Sequence, residues 1–301
     1  MARLTQNDKD RIEGLDSLGY TSREISEIVL GRGSRKSTVN DHLAKVEGEV
    51  SSYEVREDYN HTQVGPTSSV DNSRILNISD MHIPYHHPDL LAFLQHLKDK
   101  YNPTRIICLG DELDKHALSY HDSDPDLPSA GDELKASIPI IKQISEMFPV
   151  MDVLESNHGS LVWRKAKTHG IPRHYLKSYN DVLGVDDNWK WHFDMTIKLP
   201  DGSLCYYHHG KSKDVLKLTQ QMAMSAVQGH FHEDFKIHYW GNPTGLYWGL
   251  QSGCLIDDDS YAYAYNNVNI KRPVVGTSLI IDSHPVLEPM VLSGDGRWRG
   301  Y

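Results

Sequence analysis

The sequence predicts an α/β protein whose main body follows a small all-α unit. Before residue 50, apolar residues recur at helical spacing in three short segments. After residue 74, short apolar runs typical of buried strands alternate with amphipathic helical segments, which indicates parallel β-α-β units. The last third contains mostly short strand patterns. We therefore expect a helical domain at 1–50, a linker at 51–73, and an α/β body with a β-rich second half at 74–301.

The bulk composition favours an ordinary globular protein of the cytoplasm. Apolar residues make up 39% of the chain, which is enough for a core of normal size. No run of about 18 apolar residues occurs, and the polar start "MARLTQNDKD" lacks the apolar region of a secretory signal. Three widely spaced cysteines argue against a disulfide framework. A reducing cytoplasm without membrane contact is the predicted location.

The N-terminal unit has signals for three helices. Their apolar stripes are Ile12, Leu15 and Leu18 in the first, Ile25, Ile28 and Val29 in the second, and Val39, Leu43 and Val46 in the third. Thr21 and Glu24 form a capping-box pattern before the second helix, and Gly31 is suited to end it. A tight turn containing glycine joins the last two helices, which is the plan of a helix-turn-helix.

The turn and the third helix carry the residues expected to contact DNA. Basic side chains at the turn are expected to meet phosphates, and polar side chains beside the apolar stripe are expected to face base edges. The predicted DNA-binding residues are Arg32, Arg35, Lys36, Ser37, Thr38 and Asn40. Residues 1–50 contain 8 Lys and Arg against 9 Asp and Glu, so the unit has no net positive charge. A packing or protein-docking unit is therefore the alternative.

The body begins with three strand patterns separated by two helices. The strands are "RILNISD", "TRIICLGD" and "VMDVLESN", and the helices are "PDLLAFLQHLKDKY" and "AGDELKASIPIIKQISEMF". Pro139 is expected to start a second half of the later helix. Further along, two alternating runs surround Asp201 and Gly202, which is a hairpin signal. The segments "SLIID" and "VLEPMVL" are short strands near the C-terminus.

Polar residues of metal-binding type follow each of the first three strands and recur at two later strand ends. They are Asp80 and His82, Asp111 and Asp114, Asn157 and His158, His208 and His209, and His230 and His232. Beyond the carboxyl ends of the strands in an open α/β sheet, such residues converge in space. Each fragment alone is typical of an ordinary polar turn. Five such fragments in order, all at strand ends, indicate one shared site.

Two aspartates, an asparagine and several histidines make a ligand set of oxygen and nitrogen without thiolate. This set suits Mn²⁺, iron or zinc better than it suits a cysteine-rich structural zinc site. Seven ligands exceed the needs of one tetrahedral ion and suit two ions roughly 3.5–4 Å apart that share a carboxylate. Such a pair activates water and stabilises the charge on a phosphoryl group.

The order D-x-H, G-D-x-x-D, Asn-His, His-Gly and G-H-x-H resembles the signature of the calcineurin-like metallophosphoesterases, and it covers about three quarters of the chain. The resemblance implies a β-sandwich of two mixed sheets flanked by helices, with a dinuclear metal centre at one edge. It implies metal ligands at Asp80, His82, Asp111, Asn157, His209, His230 and His232. Asp111 would bridge the two ions, His158 would contact the scissile phosphate, and Asp114 would orient His158.

The sequence departs from that family's usual pattern around the Asn-His pair. Ser156 and Gly159 flank the pair, where the family usually has a glycine before it and an acid after it. The missing acid leaves Asp114 as the main expected partner of His158. Lys115 stands where the Ser/Thr protein phosphatase branch has an arginine, so the chain does not resemble that branch.

The leading functional prediction is a phosphodiesterase that uses two divalent metal ions. Mn²⁺ is the preferred ion, with iron, zinc, magnesium and nickel as alternatives. DNA is the predicted partner, so the protein would be a DNA nuclease, specifically an endonuclease targeted by the helix-turn-helix. One alternative is a small-molecule or nucleotide phosphatase or phosphodiesterase whose N-terminal unit serves assembly. A third hypothesis is a DNA-binding regulator with an inactive body, and the complete ligand set argues against it.

Overall fold

The computed structural model describes residues 4–17, 21–31, 37–43, 60–62, 70–119, 126–257, 259–260 and 272–300. The chain divides into two compact units, Met1–Glu57 and Asp58–Tyr301. Each unit has its own buried core. Among the described helices, none combines the length and the apolar character needed to cross a membrane.

The described residues of the smaller unit form three helices. They are α1 (Gln6–Ser17), α2 (Ser22–Leu30) and α3, which is described over residues 37–43. Ile12, Ile25 and Val39 come from one helix each and form the fully buried centre of this unit. The predicted capping box is present before α2, and Gly31 ends that helix with a left-handed φ of 65°. The predicted helices are thus confirmed over the described residues.

The described residues of the larger unit form eleven strands. These are β1 (Asn60–Thr62), β2 (Arg74–Ile78), β3 (Arg105–Cys108), β4 (Met151–Leu154), β5 (Trp189–Lys198), β6 (Leu204–His208), β7 (Ser225–Gln228), β8 (Lys236–Asn242), β9 (Gly245–Gln251), β10 (Gly276–Ile281) and β11 (His284–Pro289). Hydrogen bonds join them in the order β11-β10-β2-β3-β4-β5-β6-β7-β9-β8, and β1 pairs with β5. Strand β1 lies within the segment predicted to be a linker, so at residues 60–62 the chain belongs to the sheet.

The pairing directions agree with the predicted mixture of parallel and antiparallel strands. Strands β2 to β5 are parallel neighbours, and β10 and β11 extend the sheet in antiparallel fashion. The expected hairpin joins β5 to β6 around Asp201 and Gly202, where Gly202 has a φ of 88°. Strands β6, β7 and β9 are again parallel, and β8 closes the path antiparallel to β9.

The sheet folds over a core that lies between its two halves. Ile75, Ile107 and Leu154 from β2, β3 and β4 belong to the same buried cluster as side chains of β5, β6, β7 and β9. Strands β8 and β11, at opposite ends of the path, approach each other. The layering is therefore that of the predicted sandwich. Its two halves are one continuous sheet rather than separate ones, because β4 and β5 pair from Met151↔Trp189 to Leu154↔His192.

Helices cover the outer face of the first half. The α-helices that lie wholly within the described residues of the larger unit are α4 (Leu90–Tyr101), α5 (Ala130–Met147), α6 (Leu161–Thr168), α7 (Tyr179–Leu183) and α8 (Val215–Met222). Leu76 and Ile78 of β2 share a buried cluster with residues of α4 and α5. The expected division at Pro139 is wrong, since α5 runs continuously through it. Lys135, whose carbonyl would accept the missing N–H, and Pro139 are both exposed, so water can satisfy that carbonyl.

Candidate metal centre

The loops after β2, β3 and β4 meet at the carboxyl edge of the first half of the sheet. Beyond the strands, the N–H of Asp80 donates to the carbonyl of Gly110 at 3.2 Å, and the N–H of His82 donates to that of Asp111 at 2.9 Å. These bonds hold the first two loops side by side. Asp80, His82 and Asp111 have left-handed φ values of 50°, 48° and 50°. Such strained residues gather where a site imposes their geometry.

A first group of donors consists of Asp80, His82, Asp111 and His232. One potential ligand atom from each of these four residues lies within 4.8 Å of the others. The Nε2 atom of His232 is 3.2 Å from Oδ1 of Asp80, and Nε2 of His82 is 3.4 Å from Oδ2 of Asp111. Asp80 and His82 are fully buried. The group brings together two strand ends and the later G-H-x-H segment.

A second group consists of Asp111, His209 and His230, whose potential ligand atoms also lie within 4.8 Å of one another. The Nε2 atom of His209 is 3.2 Å from Oδ2 of Asp111 and 3.2 Å from Nδ1 of His230. Oδ1 of Asn157 lies 2.7 Å from the same Nε2 atom. All seven predicted ligands are therefore brought together, and His209 rather than His208 is the member from that pair. His208 instead packs its ring near Phe193.

Asp111 belongs to both groups, which is the position of a bridging carboxylate between two ions. It is 1% exposed. Burial acts to raise the pKa of Asp111, but the neighbouring charges of His209 and His158 and hydrogen bonds from His209 and His82 hold it well below its usual range. Asp111 is accordingly an anion at neutral pH.

The histidines are oriented as metal ligands usually are. The Nδ1–H of His209 donates to the carbonyl of Leu109 at 2.8 Å, and the Nδ1–H of His82 donates to Oδ1 of Asp114 at 2.6 Å. Each bond directs Nε2 into the cluster, as second-layer partners do in metalloproteins. Burial lowers the pKa of His209, but the Asp111 carboxylate and its hydrogen bond outweigh burial and raise it to about 9. Two carboxylates, an amide and four imidazoles fit two divalent ions.

Asp114 and His158 stand beside the first group. Oδ1 of Asp114 accepts the hydrogen bond from His82, whereas the same oxygen is 3.9 Å from Nδ1 of His158. The Nδ1–H of His158 donates instead to the main-chain carbonyl of Asp114. The predicted orientation of His158 by Asp114 thus runs through the backbone, and the side chain supports a predicted metal ligand. The pKa of His158 is lowered, chiefly by burial.

Lys115 holds the turn that carries Asn157 and His158. Its Nζ donates to the carbonyls of His158 and Gly159, each at 3.2 Å. It also lies 4.2 Å from the ring centroid of Tyr179, whose hydroxyl donates to the carbonyl of Gly159. The N–H of Gly159 donates to Oγ of Ser156 at 2.8 Å. The turn that carries Asn157 and His158 is therefore secured by a lysine and a tyrosine.

Two glycines of the motifs are required by close approach. A Cβ at Gly229, which precedes His230, would lie 2.3 Å from Oδ2 of Asp80 and 2.3 Å from Oγ of Ser79. Gly110 has a φ of 100°, and a Cβ there would lie 2.7 Å from the Cβ of Ser156. Any larger residue at either position would displace a part of the cluster. Steric contact therefore requires glycine at both positions.

Sequence reasoning missed several supporting residues. Lys115 and Tyr179 were not singled out as supports, and neither were Gln228 and Gln251. Nε2 of Gln228 donates to Oε1 of Gln251 at 2.9 Å, and Nε2 of Gln251 donates to the carbonyl of Gly229 at 2.7 Å. Both glutamines are fully buried at the ends of apolar strands. In the sequence, the signal for the two glutamines is a polar residue at the end of an otherwise apolar strand pattern.

The cluster is buried on the sheet side and accessible on the other. Asp80, His82, Asp111 and His209 are buried, whereas Asn157, His230 and His232 are half-buried. A phosphate group can therefore approach from the side of the last three residues.

The predicted DNA-binding residues divide into two sets. Ser37 and Asn40 are exposed on α3, Thr38 is half-buried, and Val39 between them is fully buried. The polar side chains thus face away from the core of the small unit. Arg32, Arg35 and Lys36 lie outside the described residues.

No protein-family model and no curated protein matches this chain. Solved structures that resemble it include YfcE, a phosphoesterase from E. coli, with 11% identity, 75% of this chain and 96% of that chain covered, and a TM-score of 0.39. Vps29 of Chaetomium thermophilum has 10% identity, 75% and 92% coverage and a TM-score of 0.39. Vacuolar Protein Sorting 29 of Cryptosporidium parvum is 12% identical, with 71% of this chain and 95% of that chain covered and a TM-score of 0.36.

Proposed function

We propose that this chain is a metal-dependent phosphodiesterase of the calcineurin-like type that cleaves DNA. The observation that carries the proposal is the position of Asp111, whose carboxylate belongs to two donor groups at once. Paired ions sharing a carboxylate are typical of enzymes that hydrolyse phosphate esters. The donor set contains no thiolate, which favours Mn²⁺ or a similar ion over a structural zinc ion.

The chain's own residues would divide the work as follows. When bound, two divalent ions would activate water and neutralise charge on the phosphoryl group. Asp80, His82 and His232 would hold one ion, and Asn157, His209 and His230 the other. His158 has its ring centroid 4.7 Å from that of His82 and is oriented through its Nδ1–H. In its protonated form, His158 would contact the phosphate and donate the proton on Nε2 to the departing ester oxygen.

DNA as the substrate is favoured by the N-terminal unit. The helices predicted for it follow the helix-turn-helix plan, and Ser37 and Asn40 are exposed beside the buried Val39 of α3. Asparagine reads adenine through paired hydrogen bonds in the major groove. A unit of this kind would bring the phosphodiesterase to chosen DNA sites.

Replacing the shared carboxylate tests the catalytic part of the proposal. In the presence of Mn²⁺, Asp111→Asn is expected to hydrolyse bis-p-nitrophenyl phosphate about 100-fold or more slowly than the wild type, because the bridging charge is lost. The matched control is Asp187→Asn, which makes the same change at an exposed position. Wild-type rates in the Asp111 variant would show that the proposed centre does not perform the reaction.

The substrate is tested by comparing supercoiled plasmid with mononucleotides under the same conditions. Nicked plasmid that depends on Mn²⁺ would support an endonuclease. Turnover of mononucleotides without any plasmid cleavage would assign the chain to the small-molecule phosphoesterases and overturn the DNA proposal.

The targeting role is tested on α3. Asn40→Ala is expected to weaken binding to a selected duplex by about 1–3 kcal/mol, since an adenine contact is lost. Asn7→Ala, which removes an exposed asparagine from α1, is the control and should bind like the wild type. Equal affinities of the two variants for the duplex would show that Asn40 does not contact the DNA.

A further inference from the structure

A strongly basic stretch follows the Asn157–His158 turn directly. No aspartate or glutamate occurs from 156 to 180, although the whole chain has a net charge of −10. The basic residues of this stretch are Arg164, Lys165, Lys167, Arg173 and Lys177. We call residues 161–178 the basic segment. A concentration of positive charge in an acidic chain indicates an anionic partner.

The basic segment leaves from the candidate metal centre and returns to it. Its first residue donates an N–H to the carbonyl of His158 at 3.2 Å. Directly after its last residue, the hydroxyl of Tyr179 donates to the carbonyl of Gly159. Helix α6 has eight residues, so it extends roughly 12 Å from that turn. The positive charges of α6, and Lys177 just before Tyr179, are thus held within a few phosphate spacings of the Asn157–His158 turn.

Three of the five basic residues of the segment are exposed to solvent. Leu161 and Ala166 form the buried face of α6, while Arg164 and Lys167 are exposed. Lys177 is exposed as well.

Aromatic rings accompany these charges. The side chain of Tyr175 is 80% exposed. The guanidinium of Arg173 lies 5.4 Å from the ring centroid of Trp163, which is half-buried. Basic residues interleaved with accessible aromatic rings are typical of surfaces that bind single-stranded nucleic acid.

We propose that the basic segment binds single-stranded DNA beside the metal centre, with its lysines and arginines on the phosphates and Tyr175 against a base. A duplex would offer the phosphates but would keep its bases stacked away from that ring. This inference rests on the proposed function, and it names the strand that the centre would receive. Helix α6 and the residues after it would guide the DNA strand toward the metal ligands.

Charge reversal at two exposed lysines tests the inference. The variant Lys167→Glu/Lys177→Glu is compared with Lys142→Glu/Lys190→Glu, which reverses two exposed lysines elsewhere. Lys190 lies at the opposite edge of the sheet, since Asp152↔Lys190 is near the start of β4. Binding of a labelled single-stranded oligonucleotide to the full chain is measured by fluorescence anisotropy in EDTA. Thermal unfolding confirms that all variants are folded.

The first double variant is expected to bind the oligonucleotide about 10-fold or more weakly than the control variant. The slope of log affinity against log salt should become shallower by about 1.4, because about 0.7 is lost for each phosphate contact on a single strand. Equal affinity and equal slope for both double variants would overturn the inference. Displacement of the oligonucleotide by polyglutamate as readily as by unlabelled strand would also overturn it, in favour of an acidic protein partner.

A tyrosine exchange tests the base contact separately. Tyr175→Ala is expected to weaken binding about fivefold or more, whereas Tyr239→Ala, at a ring that is 58% exposed on β8, should not. Identical affinities for the two variants would exclude stacking on Tyr175. All these measurements are made without metal or turnover, so they are separate from hydrolysis. A wild type that never cleaves a phosphodiester would refute the proposed function while leaving the binding result to be judged by itself.

Discussion

Lys115 is a single residue that holds the turn of the candidate centre in place. Its ammonium group is directed at the carbonyls of His158 and Gly159 and approaches Oε1 of the buried Glu112 at 3.9 Å. Burial lowers the pKa of Lys115, and the charge of Glu112 acts in the opposite direction. An acid at position 159 would require the present turn to shift, since a Cβ there would lie 2.8 Å from Oγ and 3.2 Å from the main-chain N of Ser156.

Loss of this ammonium group should slow the reaction more than it weakens metal binding. Lys115→Met keeps most of the length of the side chain but removes one of the two hydrogen bonds that each of the His158 and Gly159 carbonyls accepts, which loosens the turn carrying His158. We expect kcat for a model phosphodiester to fall about 10-fold at saturating Mn²⁺, because small displacements of a catalytic group are costly. Mn²⁺ titration should give a nearly unchanged Kd.

Two further variants complete that test. Lys115→Arg retains donors and should recover part of the rate, and the exposed Lys142→Met should behave like the wild type. A Lys115→Met variant that is folded and keeps its full kcat would contradict the positioning role.

At the scale of elements, one polar network ties three neighbouring strands together. The Nε and Nη2 atoms of Arg105 on β3 donate to Oδ2 of Asp152 on β4 at 2.9 and 2.8 Å. The Nε2–H of His192 on β5 donates to Oδ1 of the same carboxylate at 2.8 Å. The network spans the β4–β5 pair, which is the junction between the two halves of the sheet. Asp152 therefore matters for keeping the halves joined.

Asp152→Asn should destabilise the larger unit by about 2–4 kcal/mol at neutral pH, since it leaves Arg105 without its carboxylate. Burial acts to raise the pKa of Asp152, but the hydrogen bond from His192 and the charge of Arg105 outweigh it and lower the pKa. A depressed carboxyl pKa means stability that is present above about pH 4 and lost as the pH falls. Urea unfolding at pH 7 and at acid pH measures the difference between wild type and variant. The difference in unfolding free energy between wild type and variant should become smaller at acid pH. A larger difference at acid pH would contradict the stabilising role of the Asp152 carboxylate. The control is Asp186→Asn, at an exposed position.

For the whole molecule, the candidate centre links three strand ends of the first half of the sheet to loops of the second half. His209 follows β6 and His230 follows β7, while Asp80 and Asp111 follow β2 and β3. The N–H of His230 donates to both carboxylate oxygens of Asp80 at 3.0 Å. Ions held by ligands from both halves would cross-link the sandwich and stabilise it only when it is folded.

Mn²⁺ should therefore raise the melting temperature of the larger unit. At 100 times its Kd, a ligand of the native state contributes about 2.7 kcal/mol, which corresponds to roughly 5–10 °C for a unit of this size. His209→Ala should lose most of this shift, and the exposed His284→Ala should keep it. Differential scanning calorimetry with and without EDTA makes the measurement. An equal shift in both variants would place the bound ion elsewhere.

The sequence by itself determined the elements and the membership of the cluster. Buried strands and amphipathic helices were readable from local periodicity, and their alternation indicated parallel neighbours. Because parallel strands end at a common edge, Asp80, Asp111 and Asn157 were expected to meet there, and the structure brings them together. The capping box of α2 and the hairpin at Gly202 were equally local and equally readable.

Only the tertiary structure decided how the cluster is supported and how the sheet closes. The carboxylate of Asp114 turned to His82 rather than His158, and Lys115 and Tyr179 reached the turn from distant parts of the chain. Strands β4 and β5 joined the two halves into one path. Such outcomes depend on rotamers and on contacts between residues far apart in sequence, and no local pattern encodes them. Gly159 is the simplest example, because its fit against Ser156 exists only once the turn has folded.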